Sequence, residues 1–403
     1  MDKKQQIGHS VFAVLFVLSI LCYSILNALF AQDAVTKAIS EFDPADPAAG
    51  VSHLNTAVTE NILWRHTFLE AYGGIQILQG KQEQNAFELV RDRAGYLHSG
   101  NFWNGFHDDT KELAIRVRRL KDALNEAGTQ VGFILSPMKI AQEDMQYTGV
   151  PYNDFTQQAD TMLRWLRYYG IPCLDMREVL SEGDLSYDEI YFKTDHHWSP
   201  RAAFCGFSAM VDWMNDLWDT NLDPDGYFRN LNHYETLLYE NYMLGSQGRK
   251  AGILYSGGTE DYEVLFPTEG GSFLRVCGSL ESSYSRTGTF SDAFIDFEIN
   301  PDPYSGRADI MYLGGVYRYE HIENQTAPND IKILLLRDSQ ASIPGAFLSQ
   351  TCSQVDMLWS LAYESGEIEA FLAEHHYDYV LIMLYPENLA YHSFPFYEST
   401  EAE

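Results

Sequence analysis

Basic residues are scarce in this chain of 403 residues: 27 Lys and Arg stand against 57 Asp and Glu, a formal charge of −30 with histidine neutral. Nucleic-acid binding draws its affinity from Lys/Arg patches that release counterions from phosphates, so this balance excludes a nucleic-acid partner. Cysteine is sparse as well, with five in all and no CxxC pair. Without such a pair, neither a zinc ribbon nor a thioredoxin-type redox site has support. The histidines form neither HxH nor HExxH. Their two adjacent pairs, His196-His197 and His375-His376, point to opposite sides of an extended chain, so no metal and no other cofactor is expected. Internal repeats and low-complexity tracts are also lacking.

Apolar residues are plentiful. They make up 45% of the chain, with 14% aromatic, enough to bury a core and more than a disordered chain carries. The length allows two domains, or one large α/β domain with an insertion. Lys3 and Lys4 precede an apolar run at 10–31 whose polar members are Ser10, Ser19, Cys22, Ser24 and Asn27, and the run is long enough for a bilayer. Its exit, Ala28-Leu29-Phe30-Ala31-Gln32-Asp33, has no small-x-small cleavage site, so an uncleaved transmembrane signal anchor is expected. Lysines before the span and Asp33 after it place the rest outside the cytoplasm by the positive-inside tendency, at the cell membrane as a single-pass protein. Cys173, Cys205, Cys277 and Cys352 remain beyond the span, an even number that an oxidising compartment can pair and a core can equally hold as free thiols.

These signals divide the chain into a cytoplasmic tail (1–9), the anchor (10–31), a stalk (32–60) carrying Asp43-Pro44-Ala45-Asp46-Pro47, a folded domain (61–390) and an acidic C-terminal tail (391–403). Within the domain, apolar residues at helical spacing over 108–128 precede a strand-like run at 131–135. A helix at 153–169, a strand at 171–174 and a long helix opened by Ser199-Pro200 follow. From about 218 to 330 the pattern breaks into short segments with Gly, Pro, Asn and Asp, which reads as an insertion of loops and short strands. Solid apolar runs return at 331–336, 355–358 and 379–384, with a helix around 367–374. The rhythm predicts an α/β fold with a parallel sheet covered by helices on both faces.

The densest chemistry is Thr194-Asp195-His196-His197-Trp198-Ser199-Pro200. A carboxylate two residues from an imidazole can fix its tautomer and leave the other ring nitrogen free to take a proton from a hydroxyl. The same triplet is also what a helix N-terminus capped by Asp195 would show. For the hydroxyl, the run 331–336 ends in Arg337-Asp338-Ser339-Gln340 and passes into a helical stretch. Ser339 therefore stands at the carboxyl end of a parallel strand, where open α/β sheets place their sites, beside backbone N–H groups able to hold an oxyanion. A plain N-cap serine would look alike.

Taken together these motifs resemble the bacterial DHHW protein family, which is similar to the SGNH-hydrolase-like domain of the alginate O-acetylation proteins AlgX and AlgJ. The segments that carry the resemblance are 194–200, Ser136-Pro137-Met138-Lys139, Met243-Leu244-Gly245-Ser246-Gln247-Gly248-Arg249, Leu313-Gly314-Gly315 and Asp338-Ser339, in the family's order. The resemblance implies an SGNH-hydrolase-like (flavodoxin-like) fold and a Ser339, His197, Asp195 triad that transfers acetyl groups to an extracellular polysaccharide. A membrane-bound O-acyltransferase would be the partner that delivers them. Trp198, His196, Lys139, Gly314 and Gly315 are the residues expected around the substrate. Four positions depart from the family pattern: Val316 replaces an asparagine after Gly314-Gly315, Arg337 and Gln340 replace a lysine and an aromatic residue on either side of Asp338-Ser339, and His196 replaces the threonine common in the alginate proteins. A member that binds glycan or scaffolds its assembly without catalysis is the alternative that Val316 leaves open, and a metal-dependent hydrolase is a third.

Overall fold

The computed structural model describes residues 3–44, 47–100, 109–150, 152, 155–278 and 283–398. Ala45 and Asp46 of the stalk, the starts of the expected helices at 108 and 153–154, and 399–403 of the C-terminal tail lie outside the described residues. The chain forms two compact units, 1–75 and 76–403.

In the first unit one helix, Lys3–Ser40, runs through the apolar segment and beyond it. Its stretch Gly8–Ser40 is long and apolar enough to cross a membrane. A second helix occupies Pro47–Glu60, so the segment read as a stalk is mostly helical. Between Gln32 and Ser40 nothing breaks the helix. Pro44 and Pro47 fall where the backbone must leave one helix and begin the next, proline being tolerated in a first turn and not in an interior.

Among the described residues the second unit holds three sheets. Strands β1 (Glu83–Gln84), β2 (Leu89–Arg91) and β3 (Leu97–Ser99) form a small antiparallel sheet. The central sheet begins with β4 (Gln130–Leu135) and β5 (Cys173–Asp175). A hairpin of β6 (Tyr234–Met243) and β7 (Glu260–Pro267) stands apart from it. The rest of the central sheet is β8 (Phe273–Gly278), β9 (Ser283–Gly288), β10 (Tyr319–Asn324), β11 (Lys332–Arg337), β12 (Gln354–Trp359) and β13 (Tyr379–Leu384). Their spatial order is β5-β4-β13-β11-β12-β10-β8-β9. The first five are parallel and the last three are added antiparallel. Counted along the chain the parallel strands lie 2-1-5-3-4. The layering is flavodoxin-like, but the order is not flavodoxin's 2-1-3-4-5.

Alternation along β11 shows why its run is solidly apolar. Leu334 and Leu336 face a cluster with Leu113, Val117 and Leu120 of the helix Thr110–Asn125 and Met162 of Thr156–Tyr168. Ile333 and Leu335 face the opposite cluster with Phe204, Phe207 and Met210 of the helix Pro200–Trp218. Both faces of a parallel sheet are covered, so neither set can be polar.

Two boundaries differ from the sequence reading. The segment 218–330 is less an insertion than an extension, since β8, β9 and β10 pair into the central sheet through β12. Residues 391–398 are not a free tail: Phe394 and Phe396 are fully buried, and Arg116 donates to the Phe394 carbonyl at 2.7 Å. All five cysteines are free thiols.

Candidate active site

Asp195, His197 and Ser339 meet at the carboxyl end of β11. The chain 194–199 turns into the helix Pro200–Trp218, whose N-cap is Ser199, its hydroxyl accepting from the Ala202 N–H. Asp195 is thus released from capping. Its Oδ1 accepts from the His197 backbone N–H at 2.9 Å and lies 2.6 Å from His197 Nδ1. Its Oδ2 accepts from the Ser246 N–H at 2.6 Å. On the other side of the ring, His197 Nε2 lies 2.9 Å from Ser339 Oγ, across a sequence separation of 142 residues. Ser339 does not cap either. Asp338 does, accepting from the Gln340 N–H at 3.0 Å through Oδ1, while its Oδ2 takes the Tyr385 N–H at 2.8 Å and Asn388 Nδ2 at 3.1 Å. The alternative of two ordinary helix caps is therefore filled by other residues, and both candidate side chains stay available to each other.

Electrostatics follow from this geometry. Burial alone would push the Asp195 carboxyl up, but the imidazoles of His197 and His196 and the Ser246 N–H hold it well below the usual range. Burial alone would lower His197. The Asp195 carboxylate outweighs it, with Asp309 and Asp338 adding to the attraction, and the net shift is upward. Asp195 and His197 are thus an ion pair in waiting, with Nδ1 committed to the carboxylate and Nε2 aimed at the hydroxyl. His196 packs against His197 with ring centroids 3.9 Å apart and planes tilted by 40°, and places Nδ1 2.8 Å from Ser246 Oγ. Burial and the neighbouring imidazole push its pKa down. Asp195, His196 and His197 bring ligand atoms within 4.8 Å of one another. Both His197 nitrogens and Nδ1 of His196 are already engaged in hydrogen bonds, so an ion there would have to break the chain just described.

Behind the triplet sits Lys139, only 3% exposed. Its Nζ donates to the carbonyls of Phe192 (2.8 Å) and Lys193 (3.3 Å), to the Asp195 carbonyl and to Gln247 Oε1 (2.9 Å). Burial lowers its pKa to about 7 against the pull of Asp195 and Glu260. All four neighbours are acceptors, which the three N–H of an ammonium serve and a neutral amine does not. Expected near the substrate, Lys139 instead holds the backbone that carries Asp195. Replacing it by methionine strips the buried carbonyls of their donor, and we expect a stability loss of about 3 kcal/mol, read by denaturant unfolding. A loss within experimental error would remove this role.

Trp198 is also corrected. It is 2% exposed, its Nε1 donates to the Gln340 carbonyl at 2.9 Å, and its ring fills the space where Gly206 lacks a side chain. It braces the nucleophile turn and offers no open face to a sugar. Gly314 and Gly315, at φ +67° and +133°, form a turn beneath the Leu313 carbonyl, which Arg275 holds. They do not line the cavity beside Ser339 and His197. The sequence reading missed several supports. Ser246 and Gln247 lie in a segment noted for its resemblance but given no role. Gly245 comes so close that a Cβ there would lie 2.3 Å from that of Asp195. Glu260 accepts from the backbone N–H groups of Lys193 and Thr194 at 2.6 and 2.8 Å. Asp309 sits beside the site, tied to Arg249 and Arg307.

Residues 106–228 match the family model described as "SGNH hydrolase-like domain, acetyltransferase AlgX". No curated protein matches the chain. Among solved structures, PatB1 of Bacillus cereus with a sulfonyl adduct superposes with a TM-score of 0.59 at 17% identity, over 76% of this chain and 97% of that one. A DHHW family protein from Eubacterium siraeum superposes with a TM-score of 0.52 at 14% identity, over 71% and 88%. At such identities these structures establish a shared fold, the SGNH-hydrolase-like α/β architecture.

Proposed function

We propose that this SGNH-hydrolase-like chain is a membrane-anchored, extracytoplasmic O-acetyltransferase, or the corresponding acetyl esterase, acting on a cell-surface or exported polysaccharide. The observation that carries the reading is the unbroken hydrogen-bond chain from Asp195 through His197 to Ser339. The match to a family described as acetyltransferase and the apolar N-terminal helix support it. In this reaction His197 Nε2 takes the Ser339 proton as Oγ attacks the acetyl carbonyl, and the imidazolium that forms is stabilised by Asp195. The proton passes to the leaving group, and an acetyl ester remains on Ser339. A sugar hydroxyl, or water, then gives its proton to His197 and attacks the ester; the acetyl–Oγ bond breaks, and Ser339 Oγ takes the proton back from Nε2. Among the described residues the Ser339 backbone N–H has no hydrogen-bond partner, which fits it to receive the oxyanion in the absence of the amide that Val316 replaces. A membrane-bound O-acyltransferase would supply the acetyl group.

The test is to incubate the full chain in detergent with an activated acetyl ester and map the product by mass. An adduct of about 42 Da on Ser339, one acetyl group in an acyl-serine, is expected and should vanish in His197→Ala. No adduct and no ester turnover in a folded sample would overturn the reading in favour of a glycan-binding scaffold, the role that Val316 leaves open.

The pH dependence follows from the upward shift of His197. Only the neutral imidazole accepts a proton, so turnover should rise with pH through a midpoint above the ordinary histidine value of about 6.5. In Asp195→Asn the attraction is lost, and the midpoint of the residual activity should move down. A profile flat between about pH 5 and 8 would contradict His197 as the base.

A further inference from the structure

A cavity of about 20 Å³ opens directly beside Ser339 and His197, walled by Met243, Tyr262, Ile343 and Asp309. That volume holds a single group the size of water or methyl. Met243 and Tyr262 are each 2% exposed, and they close the space from the side of the β6–β7 hairpin. Ile343 stands in the first turn of the helix Ser342–Leu348, four residues after the nucleophile. We infer that this cavity receives the methyl of the acyl group and restricts the donor to two-carbon acyl chains, with Met243 and Ile343 as the stops. The inference rests on the acyl-enzyme reading given above.

The walls are held in place from several directions. Met243 ends β6 opposite Glu260, and Glu260 itself grips the backbone of Lys193 and Thr194. Displacing Met243 therefore strains the segment that carries Asp195. Ile343 cannot retreat without dragging the turn of Ser339. On the polar side Asp309 is fixed by Arg249 and Arg307, and an alkyl chain pushed that way would desolvate a carboxylate. The transferred bond is indifferent to acyl length, since in each case the donor's acyl bond breaks, the ester to Oγ forms, and the serine proton leaves through Nε2 with the leaving group. Selection therefore falls on the pocket, where one methylene too many typically costs about 10–200-fold in rate.

The experiment offers the full chain, in detergent, an equimolar mixture of p-nitrophenyl acetate, propionate and butyrate and weighs the adducts on Ser339. The wild-type chain should carry acetyl over butyryl by about 100-fold or more, and Met243→Ala and Ile343→Ala should bring butyryl to within about 5-fold of acetyl. Met243→Val serves where the alanine variant does not fold, with a smaller shift in the same direction. Equal loading of all three esters on the wild-type chain, or an unchanged ratio in folded variants, overturns the acyl pocket and leaves the acetyltransferase reading standing. A folded wild-type chain that loads none of the esters overturns both.

Discussion

Replacing Ser339 by alanine is expected to lower acetyl-ester turnover by about 10⁵–10⁶-fold, the scale on which a nucleophile acting with its base is lost. The variant should fold as the parent does, because Asp338 caps the turn and its three hydrogen bonds do not involve the Ser339 hydroxyl. His197→Ala should cost nearly as much. Combining the two should add little, since a base with no hydroxyl to deprotonate has nothing left to do. Asp195→Asn should cost about 10⁴-fold, the penalty for an imidazole held in the wrong tautomer. Initial rates with an activated acetyl ester, alongside thermal melts to verify folding, decide the matter. A folded Ser339→Ala chain that keeps more than about 1% of activity would place the nucleophile elsewhere.

The second large effect concerns stability and reaches the nucleophile turn through Arg337, two residues before Ser339. Glu320 is fully buried between two guanidinium groups. Arg275 donates to Oε2 from Nε (3.0 Å) and Nη2 (2.8 Å), and Arg337 donates to Oε1. Arg275 also holds the Leu313 carbonyl, and Arg337 holds the Asp338 carbonyl and Ser342 Oγ. The carboxylate therefore joins β8, β10 and β11 to the turn of Ser339. Glu320→Gln keeps the shape and removes the charge, leaving two buried cations with nothing to balance them. We expect a loss of about 3–5 kcal/mol in denaturant unfolding, with activity falling as the turn loosens. The exposed pair Arg65–Glu60 is the contrast, since breaking a pair in water costs about 0–1 kcal/mol. A Glu320→Gln loss in that lower range would mean the cluster is solvated.

How much of this was legible in the sequence depends on how local each signal is. The runs at 331–336, 355–358 and 379–384 emerged as β11, β12 and β13 because a strand covered on both faces must be apolar at every position. Ser199 and Pro200 marked their helix start through chemistry confined to its first turn. Asp195 and His197 were readable as a pair because two residues apart in a turn suffices to bring them together. The supports were not readable. Lys139, Glu260 and Ser246 act on the 192–195 segment from 50 residues or more along the chain, and Gln247 braces Lys139 from still farther; no periodicity encodes such contacts. Strands β8 to β10 were hidden for a related reason: short and half-exposed, they are strands by virtue of partners that only the folded sheet provides. Trp198 misled because an indole suits a sugar as well as a core. Gly206, eight residues on, decides between them by leaving room for the ring.

The latest of the described strands, β13, sits in the middle of the five parallel ones. β13 pairs with β4 on one side and β11 on the other, so it joins the two early strands β4 and β5 to the five later ones. A growing polypeptide can therefore assemble the two parts but cannot weld them, although domains commonly fold from the N-terminus while synthesis proceeds. A product that stops short of Tyr379 contains Asp195, His197 and Ser339 yet has no common frame on which to align them. A product that lacks β13 therefore lacks the strand through which the serine turn is aligned with the rest of the site.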